Sequence, residues 1–512
     1  MFKFVLFLFS MFIKSESAKI LGVFPFPSIS HQVVFRPLMQ ELAKRGHEVT
    51  VITTDPAFPK GKTPQNLTEI DLHDVSYEHW NRYLTENGNQ KDPVKALDAM
   101  CSVVYDLIYK QLNSTEVQEC IRKNKKIDLL IVESAMLPTL ILSHIYNDTP
   151  VIEFSSLGGM QFTIEMMGAA THSLFYPDIF HRRIFNLTLW EKIREIYVQY
   201  SMSQIFEKHL SDVSKLRSIF GSNVPDLRTI RRRNVHMLFL NLHSIWDSNR
   251  PVPPNVVYLG GLHQKPQREL PKDLKSYLDS SEHGVIYISF GTNVKPSMFH
   301  PEKLKIFTEV LSQLPYDVLW KWDKDELAGR PNNVRISKWL PQSDLLRHPK
   351  IRLFITQGGL QSTDEAITAG VPLIGVPMMN DQWINSERYV IFNIGKRLLI
   401  EELSEKQLMD AITTVINDDS YRQNIRKLRN VMHDQPKPPL ERAVWWTEHL
   451  LRHGGAHLRA PSAHLHWTEY YELDVVLAVV AAFVLLIALL VLFIYFIVSY
   501  VRYYIRKKVK VN

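Results

Sequence analysis

Two glycines separate an apolar stretch from a helical pattern in the second half of the chain. The stretch Leu353–Ile355 leads into Thr356–Gly359, and a helix is predicted to begin directly after the glycine pair. A helix that starts from such a turn presents backbone N–H groups that can bind a phosphate. Glu365 lies about two helical turns further on, where its carboxylate could accept hydrogen bonds from both hydroxyls of a ribose.

An acid and an amide follow the next predicted strand. Gly370–Pro372 ends the helix, the strand Leu373–Val376 comes next, and Pro377 leads into Asp381 and Gln382. A carboxylate beside a carboxamide suits the hydroxyl groups of a sugar. Because open α/β sheets bind ligands at the carboxyl ends of their strands, these units together predict contacts to phosphate, ribose and sugar. The alternative is an ordinary βαβ unit with a glycine turn.

Strands and helices alternate along most of the chain, which predicts a parallel, doubly wound α/β sheet. The alternation occurs twice, before and after a proline-rich connector, and residues 155–235 interrupt it with sequence that predicts helices and long loops. The connector prolines are Pro251, Pro253, Pro254, Pro266 and Pro271. The predicted strands are Ile20–Phe26, Glu48–Thr53, Asp128–Val132, Val151–Phe154, Val285–Phe290 and segments near 317–322, 334–337, 352–356 and 373–376.

The segment from Phe354 to Gln382 resembles the signature of the UDP-glycosyltransferase family. The matching positions are Gly358, Gly359, Glu365, Pro372, Pro377, Asp381 and Gln382. The residues Gln357–Gln361 look most like the arthropod branch of the membrane-bound animal type. The resemblance implies an α/β protein of the GT-B fold, in which two Rossmann-like domains face a cleft, with one C-terminal transmembrane helix.

The residue patterns, together with the resemblance, predict an order of segments along the chain. They are a signal peptide (1–17), an N-terminal acceptor-binding domain (18–250), a linker (251–283), a C-terminal UDP-sugar-binding domain (284–430), a C-terminal return and juxtamembrane segment (431–473), a transmembrane helix (474–501) and a cytosolic basic tail (502–512).

His31 and Glu133 are the candidate catalytic residues. His31 lies near the end of the first strand and Glu133 ends the strand Asp128–Val132. An imidazole can take the proton of an acceptor hydroxyl, and a carboxylate on its other nitrogen would stabilise the resulting cation. The family has a histidine and usually an aspartate at these places, so the longer Glu133 departs from the common form. A surface histidine and a structural strand-end acid are the alternatives.

The resemblance assigns a larger set of residues to the UDP-sugar. They are Arg250, Ser289, Gly291, Thr292, Trp339, Gln342, Gln357, Gly358, Gly359, Ser362, Glu365, Asp381 and Gln382. In this set Trp339 would stack on uracil and Arg250 would reach the diphosphate, although an arginine at the end of a linker is common. Gln357 stands where the family usually has histidine, and it cannot carry positive charge, so we expect altered donor affinity. We expect no metal site and no cofactor beyond the UDP-sugar co-substrate.

Both ends of the chain carry targeting patterns. Met1–Ser17 has an early lysine, an apolar run and small residues, which is typical of a secretory signal peptide. Val475–Val501 has 27 residues without charge, and a basic tail follows. The positive-inside rule then predicts a single-pass type I protein with lumenal catalytic domains. The last five residues resemble a dilysine signal for the endoplasmic reticulum membrane; a plain basic tail is the alternative, as a buried core helix is for the span.

The net charge of +7 does not indicate nucleic-acid binding. The tail contributes +5 and residues 1–17 contribute +1, so that residues 18–501 carry only +1. Cys101 and Cys120 would both be lumenal, where a disulfide is permitted. Sequons at Asn66, Asn113 and Asn186 predict glycosylation.

We therefore expect inverting transfer of a hexose, glucose rather than glucuronic acid, from a UDP-sugar to a small lipophilic acceptor. The apolar segment Met160–Phe180 could line the acceptor pocket, touch the membrane surface or pack in the core. There are two alternatives: a non-catalytic lumenal lipophile-binding protein on the same fold, and an enzyme that acts on lipid or protein acceptors. The sequence leaves open whether the protein forms a homo-oligomer.

Overall fold

The structure is a computed structural model that describes residues 17–87, 92–177, 179–463 and 465–509. The predicted signal peptide, apart from Ser17, and the last three residues of the basic tail lie outside the described residues. The chain divides into two compact units, one up to Ala460 and one from Pro461 onward.

The strands are labelled in chain order. They are β1 (Lys19–Phe24), β2 (Glu48–Thr53), β3 (Leu67–Asp71), β4 (Leu129–Glu133), β5 (Val151–Ser155), β6 (Val235–Leu240), β7 (Val256–Tyr258), β8 (Val285–Ser289), β9 (Asp317–Lys321), β10 (Val334–Ser337), β11 (Ile351–Thr356), β12 (Leu373–Gly375) and β13 (Gly395–Arg397).

The helices of the first half are α1 (Ile29–Lys44), α2 (His73–Asn87), α3 (Pro93–Leu112), α4 (Thr115–Lys123), α5 (Ile141–Ile145), α6 (Gln161–Met166), α7 (Leu189–Ser211), α8 (Ser214–Phe220) and α9 (Leu227–Asn234). Those that follow are α10 (Lys272–Ser280), α11 (Pro301–Ser312), α12 (Gln342–Leu346), α13 (Leu360–Ala369), α14 (Gln382–Ile391), α15 (Glu405–Asn417), α16 (Asp419–His433), α17 (Pro439–His453), α18 (Trp467–Tyr470) and α19 (Leu473–Val509).

Within the described residues the strands form two parallel sheets. Their orders are β3-β2-β1-β4-β5-β6-β7 and β10-β9-β8-β11-β12-β13. Each order reverses direction once, between β1 and β4 in the first sheet and between β8 and β11 in the second. Open α/β sheets bind their ligands at such reversals. The predicted α/β fold with two Rossmann-like sheets is confirmed.

The central strands are apolar along their whole length because helices cover both faces of each sheet. Every residue of β4 and of β8 is buried, which accounts for the continuous apolar runs in the sequence. The polar residue that ends each of these strands, Glu133 or Ser289, is therefore held at a sheet edge by a rigid core.

The sheet of the first half extends past the predicted boundary at residue 250. The segment predicted as a linker, 251–283, contains β7 and α10, and β7 pairs with β6 in parallel. The helix α17 returns to the first half, where Ala443 and Val444 join the same apolar cluster as Leu38 of α1. Arg45, which directly follows α1, forms an ion pair of 3.4 Å with Glu448 of α17.

The second unit contains α19, a helix of 37 residues that is longer than the predicted span 474–501. Its apolar part has the length and composition needed to cross a membrane, and it is the one such helix among the described residues. The finding agrees with the predicted membrane anchor.

Candidate active site

His31 and Glu133 meet where the first sheet reverses. Glu133 is the last residue of β4, His31 lies in the first turn of α1, and β4 and β1 are neighbours. The Nδ1 atom of His31 is 2.6 Å from Oε1 of Glu133. The Glu133 side chain is 3 % exposed, so it is held in place largely out of water. The two predicted catalytic residues are thus brought into direct contact.

The surroundings of this pair fix its orientation. The backbone N–H of Phe26 donates to Oε2 of Glu133 at 3.4 Å, and the Phe26 ring lies 4.6 Å from the His31 ring. The Ser156 hydroxyl oxygen is 2.9 Å from the same Nδ1 of His31. A carboxylate accepts hydrogen bonds, so Nδ1 carries the proton and Nε2 is the nitrogen that can accept one.

His31 lines a cavity of about 480 Å³ between the two Rossmann-like halves. Most residues that the sequence assigned to the UDP-sugar lie on the opposite wall of this cavity. They are Ser289, Gly291, Thr292, Trp339, Gln342, Gln357, Gly359, Ser362, Glu365, Asp381 and Gln382. The structure therefore places the predicted base and the predicted donor residues around one space.

Gly358 makes the turn that starts α13. Its φ is +94°, a conformation that side-chain-bearing residues rarely adopt, and a Cβ there would come within 2.5 Å of the Ser386 hydroxyl oxygen. The N–H of Leu360, the first residue of α13, donates to Oδ2 of Asp381 at 2.9 Å. The N-terminus of α13 thus points toward the cavity beside a carboxylate. The N–H groups of Gln361 and Ser362 precede the first intrahelical hydrogen bond, which Thr363 donates to Gly359, so they are the donors that a ligand could use.

Asp381 and Gln382 are held by the protein through one end of each side chain. The side-chain N–H of Asn385 donates to Oδ2 of Asp381 at 2.8 Å. The side-chain carbonyl oxygen of Gln382 (Oε1) accepts hydrogen bonds from the backbone N–H groups of Met378 at 2.9 Å and Met379 at 3.0 Å. This arrangement fixes the Gln382 amide with its NH₂ as the group left to donate. Burial raises the pKa of Asp381 to about 6, and the nearby His31 opposes that rise.

Glu365 belongs to a polar network with Gln342. The side-chain NH₂ of Gln342 donates to Oε2 of Glu365 at 2.8 Å and to the Ser362 hydroxyl at 2.9 Å. The Tyr287 hydroxyl donates to the side-chain carbonyl of Gln342 at 3.0 Å. Burial raises the pKa of Glu365 to about 7. The carboxylate is positioned to accept further hydrogen bonds, as the ribose prediction requires.

Gln357 and Gly291 pack against each other in the cavity wall that carries the predicted UDP-sugar residues. The φ of Gly291 is +75°, a conformation that favours glycine, and a Cβ there would also meet the Gln357 amide. The side-chain carbonyl oxygen of Gln357 is buried and has no hydrogen-bond partner among the described residues. A buried amide without a partner costs free energy, and a phosphate oxygen would satisfy it if the amide turned its NH₂ toward the cavity.

Trp339 presents a flat aromatic surface with 66 % of its area exposed. The Lys321 ammonium lies 4.7 Å from the centre of the Trp339 ring and donates to the Gly291 carbonyl at 2.9 Å. Burial lowers the pKa of Lys321. The lysine thus links the aromatic surface to the glycine turn after β8.

Arg250 is the predicted donor residue that the structure does not bring to the cavity. Its guanidinium pairs with Asp247, 3.0 Å from Oδ2, and donates to the carbonyls of Ala170 and Tyr176 at 3.2 and 3.0 Å. The Arg250 side chain is fully buried. The N–H groups of the Arg250 guanidinium are engaged in these contacts, which hold the start of the connector against the first half. The placement therefore does not support contact between Arg250 and a diphosphate.

The wall formed by the first half is apolar. Apart from Ser30 and His31, its residues are Phe26, Ile29, Val33, Trp80, Met100, Met136, Leu157, Met160, Ile179 and Phe180. The ends of the segment Met160–Phe180 line the cavity, Ile164 is buried in the core, and Phe175 is 68 % exposed. Contact of this segment with a membrane surface stays a prediction.

Sequence reasoning missed Ser156, Lys321 and Gln361. Gln361 bridges the two halves because its NH₂ donates to the Ser156 carbonyl at 3.0 Å. Each of the three residues lies at or just beyond the end of a strand or the start of a helix on the cavity side of its sheet. That position is the signal that could have marked them, since such sites converge at one edge.

The remaining predictions concern the surface and metals. Asn66, Asn113 and Asn186 all have exposed side chains, and glycosylation there stays a prediction. Cys101 and Cys120 are both free and buried. Among the described residues no cluster of three or more His, Cys, Asp or Glu side chains could hold a metal ion.

Two Rossmann-like sheets that face a cleft are the arrangement of the GT-B fold. Solved structures share this fold: the calicheamicin glycosyltransferase CalG4 has a TM-score of 0.58 at 17 % identity, covering 86 % of this chain and 99 % of that chain. A UDP-glucose:anthocyanidin 3-O-glucosyltransferase in complex with UDP has a TM-score of 0.58 at 16 % identity, covering 85 % and 99 %.

Residues 18–512 match the model of the UDP-glucoronosyl and UDP-glucosyl transferase family, and the chain belongs to that family. It is 36 % identical over 487 residues to an ecdysteroid UDP-glucosyltransferase of Spodoptera littoralis nuclear polyhedrosis virus, covering 91 % of this chain and 94 % of the relative. It is 30 % identical over 483 residues to UDP-glucosyltransferase 2 of Dactylopius coccus, covering 92 % of each. The predicted family and the prediction that the protein is a glycosyltransferase enzyme are confirmed.

Proposed function

We propose that the protein transfers glucose from UDP-glucose to a hydroxyl of a small lipophilic acceptor, with inversion at the anomeric carbon. The observation that carries the proposal is the contact between His31 and Glu133 at the cavity, opposite Asp381 and Gln382. One face of the sugar would then meet the base while the other leads to the departing nucleotide.

The proposed reaction is a single displacement. Nε2 of His31 takes the proton of the acceptor hydroxyl while that oxygen forms a bond to the anomeric carbon. The bond from this carbon to the phosphate oxygen breaks, and its electron pair leaves with UDP. Glu133 stabilises the imidazolium that forms, and the N-terminus of α13 and the Gln357 amide stabilise the charge on the diphosphate.

The sugar end of the donor wall favours an uncharged hexose. Cavity-lining residues Met379–Gln382 include a carboxylate and neutral side chains but no lysine or arginine. A glucuronate carboxylate beside Asp381 would be repelled by a like charge. The similarity to named UDP-glucosyltransferases of viruses and of Dactylopius coccus supports the same choice.

The apolar wall supports a lipophilic acceptor, because aromatic and methionine side chains bind such molecules by burial and adapt to their shape. The relatives named for ecdysteroids suggest that an ecdysteroid belongs in the acceptor panel. We further propose that α19 anchors the enzyme in the endoplasmic reticulum membrane as a type I protein with a lumenal active site. The apolar acceptors would then partition into the same membrane.

The test is a donor and acceptor screen with microsomes that contain the full chain. UDP-glucose or UDP-glucuronic acid is combined with phenols, an ecdysteroid, a sterol and ceramide, and products are identified by mass spectrometry. The proposal predicts glucosides of the small lipophilic acceptors. Glucuronides alone would contradict the donor assignment. Binding of both UDP and lipophiles without any product would favour the non-catalytic lipophile-binding protein.

A further inference from the structure

The first half of α7 carries an apolar surface that no described residue covers. Trp190 is 79 % exposed and Leu189 is 72 % exposed, values expected of charged residues rather than large apolar ones. The exposed apolar side chains of this helix are Leu189, Trp190, Ile193, Ile196, Tyr197 and Tyr200. We call this set the α7 arc.

The residues of the arc share one side of the helix. At about 100° per residue, their positions fall within a sector of about 120° around the helix axis. Lys192 and Arg194, both exposed, lie just outside the two margins of that sector. An apolar sector bordered by cations on both sides is the pattern of helices that lie in a lipid–water interface.

The arc ends abruptly at Tyr200. On the same side of the helix, Gln204, Glu207 and Lys208 are equally exposed and polar. The opposite side of the second half is apolar for a different reason, since Met202 and Phe206 are buried and the Phe206 ring stacks on Phe162 at 3.7 Å. The second half therefore anchors α7 in the fold, and the first half presents the arc outward.

We propose that the α7 arc is a second membrane-contact site, which inserts into the interfacial layer of the bilayer that α19 enters. The chain itself supplies the reason to choose a lipid surface, because α19 is long and apolar enough to span a membrane. Tryptophan and tyrosine prefer the headgroup level, and lysine and arginine at the margins can pair with lipid phosphates.

Contact of the α7 arc with the bilayer would bring lipid close to the apolar cavity wall formed by the first half. The helix α7 packs against α3, and Met100 of α3 lines the cavity. An apolar molecule dissolved in the bilayer would then have a short path to the apolar side of the cleft. This consequence adds to the proposed function, but the contact itself does not depend on glycosyl-transfer chemistry.

The test uses the full chain in nanodiscs of phosphatidylcholine and phosphatidylinositol with one protein per disc. An environment-sensitive nitrobenzoxadiazole label is placed through Ile193→Cys; Cys101 and Cys120 are buried and remain unlabelled. The control label is at Lys305→Cys, an exposed position of α11 in the other half. The protein is deglycosylated first, because a glycan on Asn186 would stand beside the arc.

We expect blue-shifted emission and quenching by spin-labelled lipid at residue 193 and neither effect at residue 305. With Trp190→Glu and Tyr197→Glu in the same chain, the quenching should be lost, whereas Gln204→Glu with Lys208→Glu should leave it unchanged. UDP binding confirms that each variant is folded. Water-like emission at residue 193 would overturn the proposal, and so would a blue shift without lipid quenching, which would indicate a protein covering the arc.

Discussion

At the scale of single residues, the pair His31 and Glu133 shows how a strand end and a helix start produce a base. Glu133 projects from a fully buried strand, so the carboxylate cannot move far, and its contact with Nδ1 of His31 leaves Nε2 to receive a proton. The glutamate, longer than the usual aspartate of the family, reaches the imidazole at 2.6 Å. Its length is therefore compatible with the predicted partnership.

The raised pKa of Glu365 predicts that the affinity for the UDP-sugar depends on pH. Burial raises its pKa from 4.5 to about 7 in the unliganded protein. The carboxylate accepts hydrogen bonds from ribose hydroxyls better than the protonated acid does, so affinity should fall as the pH falls through about 7. The decrease should approach about tenfold per pH unit below that point.

Calorimetric titration with UDP-glucose in the absence of acceptor checks this dependence. Over the range from about pH 6.5 to about pH 8 two other buried carboxyls also titrate, because burial raises the pKa of Asp381 to about 6 and that of the neighbouring Asp364 to about 8. The comparison with a variant therefore assigns the slope to Glu365. Glu365→Gln should bind more weakly at the upper end of that range and lose the slope. An equal slope in the variant would show that another group is responsible.

At the scale of elements, the start of α13 connects the donor wall to the base. Gln361 is the second residue of α13, and it donates to the carbonyl of Ser156, whose hydroxyl touches His31. The hydrogen bond crosses from one Rossmann-like half to the other. If the two halves close around the UDP-sugar, this hydrogen bond from α13 would therefore hold the loop after β5 beside His31.

Gln361→Ala should lower kcat about three- to tenfold, the loss expected for one hydrogen bond, with little change in donor affinity. Steady-state kinetics and calorimetry measure the two quantities separately. Asn293→Ala is the matched control, because it removes a cross-cleft hydrogen bond of 3.3 Å to Ser28 that does not involve Ser156. Equal losses of kcat in both variants would refute a specific link through Ser156.

The elements that bear the site could be predicted from the sequence because apolar runs mark buried parallel strands. The strand–turn–helix at Ile351–Ala369 and the ends of β4 and β8 lie where the pattern places them. Short edge strands such as β3, with the half-polar sequence Leu67–Asp71, lack such a run. The strand β6 is apolar and directly follows the helical region 155–235, but it is missing from the predicted strands.

Contacts between distant segments could not be predicted in the same way. Ser156 meets His31 across 125 residues of sequence, and only the order of the strands brings them together. Arg250 shows the converse error: its sequence position resembles that of a ligand-binding arginine, but Asp247 and two carbonyls satisfy its guanidinium.

At the scale of the whole molecule, the proposed topology predicts opposite protease sensitivity on the two sides of the predicted span 474–501. In sealed microsomes trypsin should cleave the basic tail at Arg506 and Lys507 while the region before α19 stays intact. The three exposed sequons should be sensitive to endoglycosidase only after the vesicles are opened. Protection of the tail in sealed vesicles would contradict the type I orientation.

The central claim is that His31, held by Glu133, is the base of a single displacement. The most direct measurement is the single-turnover rate of glucoside formation by purified wild-type protein, His31→Ala and Glu133→Gln with saturating UDP-glucose. Loss of the base should slow the reaction about 10²- to 10⁴-fold while donor affinity is retained, and Glu133→Gln should cause a smaller loss. A near-wild-type rate for His31→Ala with intact donor binding would contradict the mechanism.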